Sequence, residues 1–232
     1  MIFPSLDRVK AIAPGYDIVP VYMEILSDVR TPISVLKALK QVSSHTYLLE
    51  SADNSNHWGR YSFLGYDPKI ELFCKNHKMT IKDGTTRTFE CSDPATEIRN
   101  ILSQYKSPRL EELPTFTGGF VGYFACEYIR YIEPTLDFPT PDDNSAMVND
   151  VDLMLFDKVI AFDHYKNKIY LIANISTNDV ERNYNKAELE LKALADLVVN
   201  GKEADIPKGI LKTEFTSEFT KDEFEEIGRA HV

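Results

Sequence analysis

Between Thr46 and Cys91 the chain offers five short segments, "TYLLES", "YSFLGY", "KIELFCK", "KMTIKD" and "TTRTFEC", each rich in β-branched and aromatic residues and parted by polar turns. This run constrains the fold more than any other feature. Segments of this length and composition read as strands. Connections too short to hold a crossover helix oblige neighbouring strands to pair antiparallel. Asp83-Gly84 adds a two-residue hairpin signal.

The flanks supply helices and longer strands. "DIVPVYMEIL", from Asp17, reads as a strand; Thr31 and Pro32 then give an N-cap and a first helical residue for "ISVLKALKQV", with Ile33, Leu36 and Leu39 at helical spacing. Asp93 and Pro94 open a second helix whose Ile98, Ile101, Leu102 and Tyr105 fall on one face, predicted to lie across the sheet. "GGFVGYFACEYI" is an aromatic strand entered through Gly118 and Gly119. With Gly122 these glycines do not complete a dinucleotide fingerprint, so they are expected to let another backbone or side chain come close.

The acidic, proline-rich stretch from Glu133 to Asp150 reads as a surface loop. "DLMLFDKVIAFDH" and "NKIYLIANI" read as two long strands joined by a tight turn at Tyr165, Lys166 and Asn167. "DVERNYNKAELELKALADLVVNG" is a helix with Leu189, Leu194, Leu197 and Val198 as its stripe and Gly201 as its stop, followed by a polar connector to about Phe219. The expected class is α+β, with antiparallel β-sheets in a sandwich-like arrangement and helices packed on the outside. Residues 1–16 form an N-terminal extension, 17–175 the domain, and 176–225 a helix and connector. Residues 226–232, "EIGRAHV", match the translation of a common sequencing adapter and are set apart from the fold.

Composition limits function. At 43% hydrophobic and 27% charged the 232 residues are ordinary for a globular chain, and a net charge of -10 without a Lys/Arg cluster argues against a nucleic-acid surface. Small molecules and proteins remain as partners. Cys74, Cys91 and Cys126 show no CxxC pattern, which suggests neither zinc nor disulfides and fits a reducing cytoplasm. Asp7, Arg8 and Lys10 stand where a signal peptide needs apolar residues, no stretch is long and apolar enough to span a membrane, and the sequon Asn174-Ile175-Ser176 reads as chance. His45, His57, His77 and His164 have no metal-ligand spacing. Ser51, Ser92 and Ser217 lack a nucleophile elbow and a base.

The sharpest polar pair is Glu50 and Ser51, reached directly from the apolar "TYLL" and followed by "GRYSF" with Arg60. A carboxylate at the end of a buried strand needs a partner. Residue chemistry alone favours a Glu50–Arg60 ion pair; a ligand-binding role is the alternative.

"LLES" with "GRYSFLGYDP", then "GGFVGYFACEYIRYIE", then "DLMLFDKVIAFDHYKNKIYLIANI" resemble, in this order, the N-terminal region of anthranilate synthase component I, and "VPVYMEILSDVRTPISVLKAL" extends the likeness over Val19 to Ile175. Glu127 stands where that family often has Asp. The resemblance implies an enzyme making anthranilate and pyruvate from chorismate and ammonia, the ammonia usually supplied by a glutaminase partner subunit, with magnesium (Mg2+) at the active site and feedback inhibition by tryptophan. It assigns Glu50 and Ser51 to the tryptophan pocket, where Glu50 suits the ligand's ammonium and Ser51 its polar end. It places the chorismate and magnesium residues in a C-terminal half expected to be missing here, so no catalytic residue carries over and the chain alone is expected to be inactive. The second pocket wall, an Asn-Pro-x-x-Tyr-Met segment, is expected beyond Val232. Rival readings are aminodeoxychorismate synthase component I and a non-catalytic amino-acid-binding module; "LLES" followed by "GRYSFLG" favours tryptophan biosynthesis.

Overall fold

The computed structural model describes residues 1–28, 30–50, 59–133, 135, 148–205, 209–214 and 216–229. In chain order the elements are α1 (Leu6–Ile12), β1 (Ile18–Leu26), α2 (Pro32–Leu39), β2 (Thr46–Leu49), β3 (Tyr61–Tyr66), β4 (Ile70–Lys75), β5 (Lys78–Lys82), β6 (Thr86–Glu90), α3 (Pro94–Leu102), β7 (Gly119–Phe124), α4 (Ile129–Ile132), β8 (Val151–Phe156), β9 (Lys158–Asp163), β10 (Lys168–Ser176), α5 (Val180–Asn200) and α6 (Lys221–Arg229). The strands form two five-stranded antiparallel sheets, ordered β1-β10-β9-β3-β2 and β6-β5-β4-β8-β7. The fold is the α+β class expected, with helices outside.

Local chemistry sets the helix starts. Thr31 and Ser34 cap each other's backbone N–H groups at α2, and Asp93 accepts from the Thr96 N–H at α3, each with proline in the first turn. Asp179 does the same for α5 through the Arg182 N–H. On the first sheet, Val19, Val21, Leu64, Ile160, Phe162 and Leu171 meet α1, α2 and α5, which bring Val9, Val35, Leu39, Leu191 and Leu194. The first sixteen residues join this core through buried Ile2, Val9 and Ala13. The opposite face, with Tyr22, Val159, Ala161, Tyr170 and Ile172, is covered by Leu110, Leu113 and Phe116. The second sheet packs Leu72, Cys74, Met79, Ile81, Leu153 and Leu155 against Ile98 and Ile101 of α3.

Three expectations change. The run read as one long strand, "DLMLFDKVIAFDH", is two: β8 belongs to the second sheet and β9 to the first, and the chain passes between them at Asp157 alone. Asp83-Gly84 sits in a three-residue connection, because Lys82 pairs with Thr86 and Gly84 has φ +93°. The two-residue turn is instead Asn76-His77, with both residues at positive φ (47° and 61°) between the paired Lys75 and Lys78, the geometry favoured by the strand twist. Ile33, Leu102 and Leu189 are exposed, while Val35 and Ala38 carry the inner face of α2 and Tyr184, Ala187 and Leu191 much of that of α5. Nearly all of the stretch between Glu133 and Val148 lies outside the described residues.

The strand glycines do serve close approach. A Cβ on Gly122 would lie 2.0 Å from the Asp152 carbonyl oxygen, and one on Gly118 would lie 2.6 Å from Asn174 Nδ2. Among the described residues no helix is long and apolar enough to cross a membrane.

Candidate functional site

One corner of the first sheet, where β2, β3 and the end of β9 meet, carries polar side chains on both faces. β2 is an edge strand, and Leu49, its last residue, is 46% exposed. Glu50 follows it and is itself exposed, so the carboxylate stands at an open strand end rather than at the end of a buried one. Ser51 lies outside the described residues.

On the helix-covered face, Ser62 of β3 pairs in register with Phe162 of β9 and is 2% exposed. Its hydroxyl donates to Glu50 Oε1 at 3.1 Å and lies 2.7 Å from His164 Nε2. The His164 ring stacks on Phe162 at a centroid distance of 6.4 Å and an interplanar angle of 23°.

On the other face the Glu50–Arg60 pair expected from residue chemistry gives way to a different one. The Arg60 guanidinium makes a two-pronged contact with Asp163, Nε to Oδ1 at 3.1 Å and Nη2 to Oδ2 at 2.7 Å. Asp163 is fully buried and also accepts the Tyr165 and Lys166 backbone N–H groups at 3.1 and 3.0 Å. Arg60 lies over the Tyr61 and Tyr165 rings, and its carbonyl accepts the His164 N–H at 2.9 Å. Burial works to raise the Asp163 carboxyl, but the Arg60 hydrogen bonds and the two backbone donors outweigh it and hold the group below its ordinary value. Asp163 wins Arg60 because it is the carboxylate without access to water, and so has most to lose unpaired; Glu50 is solvated.

Sequence reasoning did not single out Ser62, His164 or Asp163 as site residues. The signal for Asp163 was present: a charge closes "KVIAFD", an otherwise apolar strand. Ser62 and His164 are far apart in sequence, and only the β3–β9 register brings them together. Nearby, the Tyr47 hydroxyl is buried without a hydrogen-bond partner among the described residues; its ring packs edge-on to Phe156 with centroids 4.7 Å apart, and burial pushes the phenol well above its ordinary range.

An exposed carboxylate steered from beneath by a buried hydroxyl is suited to receive a cation or an ammonium group. Among the described residues no group of three or more His, Cys, Asp or Glu side chains could hold a metal ion. Cys74 and Cys91 are buried free thiols and Cys126 is exposed.

The chorismate binding enzyme family matches residues 45–230, from just before β2 to just past α6. Anthranilate synthase component 1 of Acetivibrio thermocellus is 36% identical over 197 residues, which is 84% of this chain and 39% of the relative. The same enzyme of Acinetobacter calcoaceticus is 38% identical over 189 residues, 79% of this chain and 37% of the relative. That of Aquifex aeolicus is 32% identical over 234 residues, 96% and 46%. The chain thus spans less than half the length of these relatives. With the family's match covering most of its residues, the chain belongs to the chorismate binding enzyme family.

Proposed function

We propose that this chain is the tryptophan-responsive portion of an anthranilate synthase component 1, acting in a cytoplasmic enzyme that uses magnesium to convert chorismate and ammonia to anthranilate and pyruvate with a glutaminase partner. The observation that carries the regulatory reading is the Glu50 carboxylate, exposed at the end of β2 yet hydrogen-bonded by a buried serine. A free amino acid presents an ammonium, and a charge-assisted hydrogen bond to a carboxylate is the strongest simple way to hold it. Ser51, next along the chain, is assigned the ligand's polar end. The names of the relatives support the anthranilate reading over aminodeoxychorismate synthesis.

The test places this chain in the Acetivibrio thermocellus enzyme in exchange for the matched segment and follows anthranilate fluorescence. Glu50→Ala and Ser51→Phe are expected to raise the tryptophan concentration needed for inhibition about ten- to a hundred-fold, the equivalent of about 1.5 to 3 kcal/mol. Turnover without tryptophan is expected to change little, because the substitutions touch the regulatory ligand only. Unaltered inhibition in both variants would overturn the reading. The chain by itself is expected to yield no anthranilate with ammonia or glutamine, and fluorescence above background from the purified chain would contradict that.

A further inference from the structure

We infer that Ser62 and His164 are positioning residues for Glu50, linked in a one-way relay: His164 Nε2–H donates to Ser62 Oγ, and the Ser62 hydroxyl donates to the Glu50 carboxylate. The role of this relay toward a ligand rests on the reading of Glu50 given above; the relay itself does not.

A serine hydroxyl has one proton, and an ionised carboxylate only accepts. Ser62 Oγ is within hydrogen-bond distance of both Glu50 Oε1 (3.1 Å) and His164 Nε2 (2.7 Å). Both contacts are satisfied only if the proton points at Glu50. Oγ must then accept from His164, which requires that Nε2 carry a hydrogen. The opposite arrangement, Ser62 donating to a bare Nε2, would set the Glu50 carboxylate against lone pairs of a buried oxygen, a repulsive contact 2% exposed to water.

The relay has a fixed base. His164 directly follows Asp163, which is held by four hydrogen bonds from Arg60, Tyr165 and Lys166. The His164 N–H is tied to the Arg60 carbonyl, and its ring lies on buried Phe162. With Oε1 committed to Ser62, Oε2 is the oxygen offered to a ligand's ammonium. The corner thus converts an exposed, rotatable glutamate into a directed acceptor, which lowers the ordering cost of binding.

Two measurements test this. The chain carries five histidines, so a sample labelled with 15N only at histidine gives few signals, and His164 is assigned as the one lost in His164→Gln. The expected result is a protonated Nε2 with slow hydrogen exchange that becomes fast in Ser62→Ala. A bare Nε2 with the proton on Nδ1 would overturn the relay, whatever tryptophan does. In the exchanged enzyme, Ser62→Ala and His164→Phe are expected to weaken L-tryptophan inhibition roughly two- to tenfold. His164→Gln places an amide donor close to Nε2 and is expected to stay within about twofold of the parent. Inhibition that follows Glu50 but ignores Ser62 and His164, or a Gln variant as weak as Phe, would overturn the positioning role. If the NMR result holds while Glu50→Ala leaves tryptophan inhibition unchanged, the ligand reading falls and the relay stands.

Discussion

At the scale of single residues, the corner shows how burial decides which charges pair. Arg60 had two carboxylates to choose from along β2, β3 and β9, and took the one shut off from water. Since the Asp163 carboxyl is held low in the folded chain, its contribution is present above its unfolded pKa of about 4 and is lost as pH falls through the lower folded value. Arg60→Ala is therefore expected to destabilise by about 2 to 3 kcal/mol at pH 7, less than a fully buried pair because Arg60 is one-third exposed. The gap to the parent should close as pH drops below the unfolded value of about 4. Urea unfolding at a series of pH values checks this, and a gap independent of pH would show that Asp163 is not the partner that matters. Tyr47 gives a prediction of opposite sign. Its hydroxyl is buried without a hydrogen-bond partner among the described residues, so Tyr47→Phe removes a desolvated group while keeping the ring on Phe156, and is expected to raise stability by about 1 kcal/mol. A loss of stability would mean that the hydroxyl has a partner after all.

Whole elements show a different balance between what the sequence displays and what it hides. Capped helices were legible because the cap is local: Thr31-Pro32 and Asp93-Pro94 announce α2 and α3 by chemistry confined to one turn. The meander was legible for the same reason. The passage of "DLMLFDKVIAFDH" from one sheet to the other was not, because apolar residues continue on both sides of Asp157 and nothing local marks a change of partner strand. Likewise Ile33 and Leu189 have the right spacing for an inner face, but the neighbours that choose the buried side are far away in sequence. Of the site, Glu50 was visible as a charge after an apolar strand, whereas Ser62 and His164 meet only through strand register. The glycine strand was read correctly as a place of close approach, and this can be tested. β7 is the edge of its sheet, and a methyl on Gly122 would press into the Asp152 carbonyl of β8. Gly122→Ala is expected to cost about 1 to 3 kcal/mol and to speed amide exchange across Gly119–Phe124 while β4 and β5 keep their protection. Equal loss of protection in all five strands would mean that β7 does not open by itself.

For the molecule as a whole, two sheets with separate cores have to behave as one body if the Glu50 corner on the first is to influence anything attached to the second. The connection between them is short and specific. The chain crosses from β8 to β9 through a single residue, Asp157, whose carboxyl is pushed up by burial against the pull of Lys158 and Lys69. Beside it, the side chain of Asn174 on β10 donates to the Thr117 carbonyl, just before β7, at 2.7 Å and to the Asp157 carbonyl at 3.1 Å. One amide therefore ties a strand of the first sheet to the start of an edge strand of the second and to the crossover between them, with both of its protons engaged. Tyr47 on Phe156 adds a ring contact between β2 and β8. Removing the amide by Asn174→Ala leaves the Thr117 carbonyl short of a donor in a part-buried place, at a cost of about 1 to 3 kcal/mol, while the Asp157 carbonyl keeps the backbone N–H of residue 174 at 2.9 Å. If this staple couples the sheets, circular dichroism of the backbone and of the tyrosines should report one coincident urea transition in the parent chain. In Asn174→Ala the two probes should separate, because tyrosines are richer in the first sheet and its surroundings. Coincident transitions in the variant, shifted but still superimposed, would show that the sheets hold together without the Asn174 side chain, through the chain crossings from β3 to β4 and from β8 to β9.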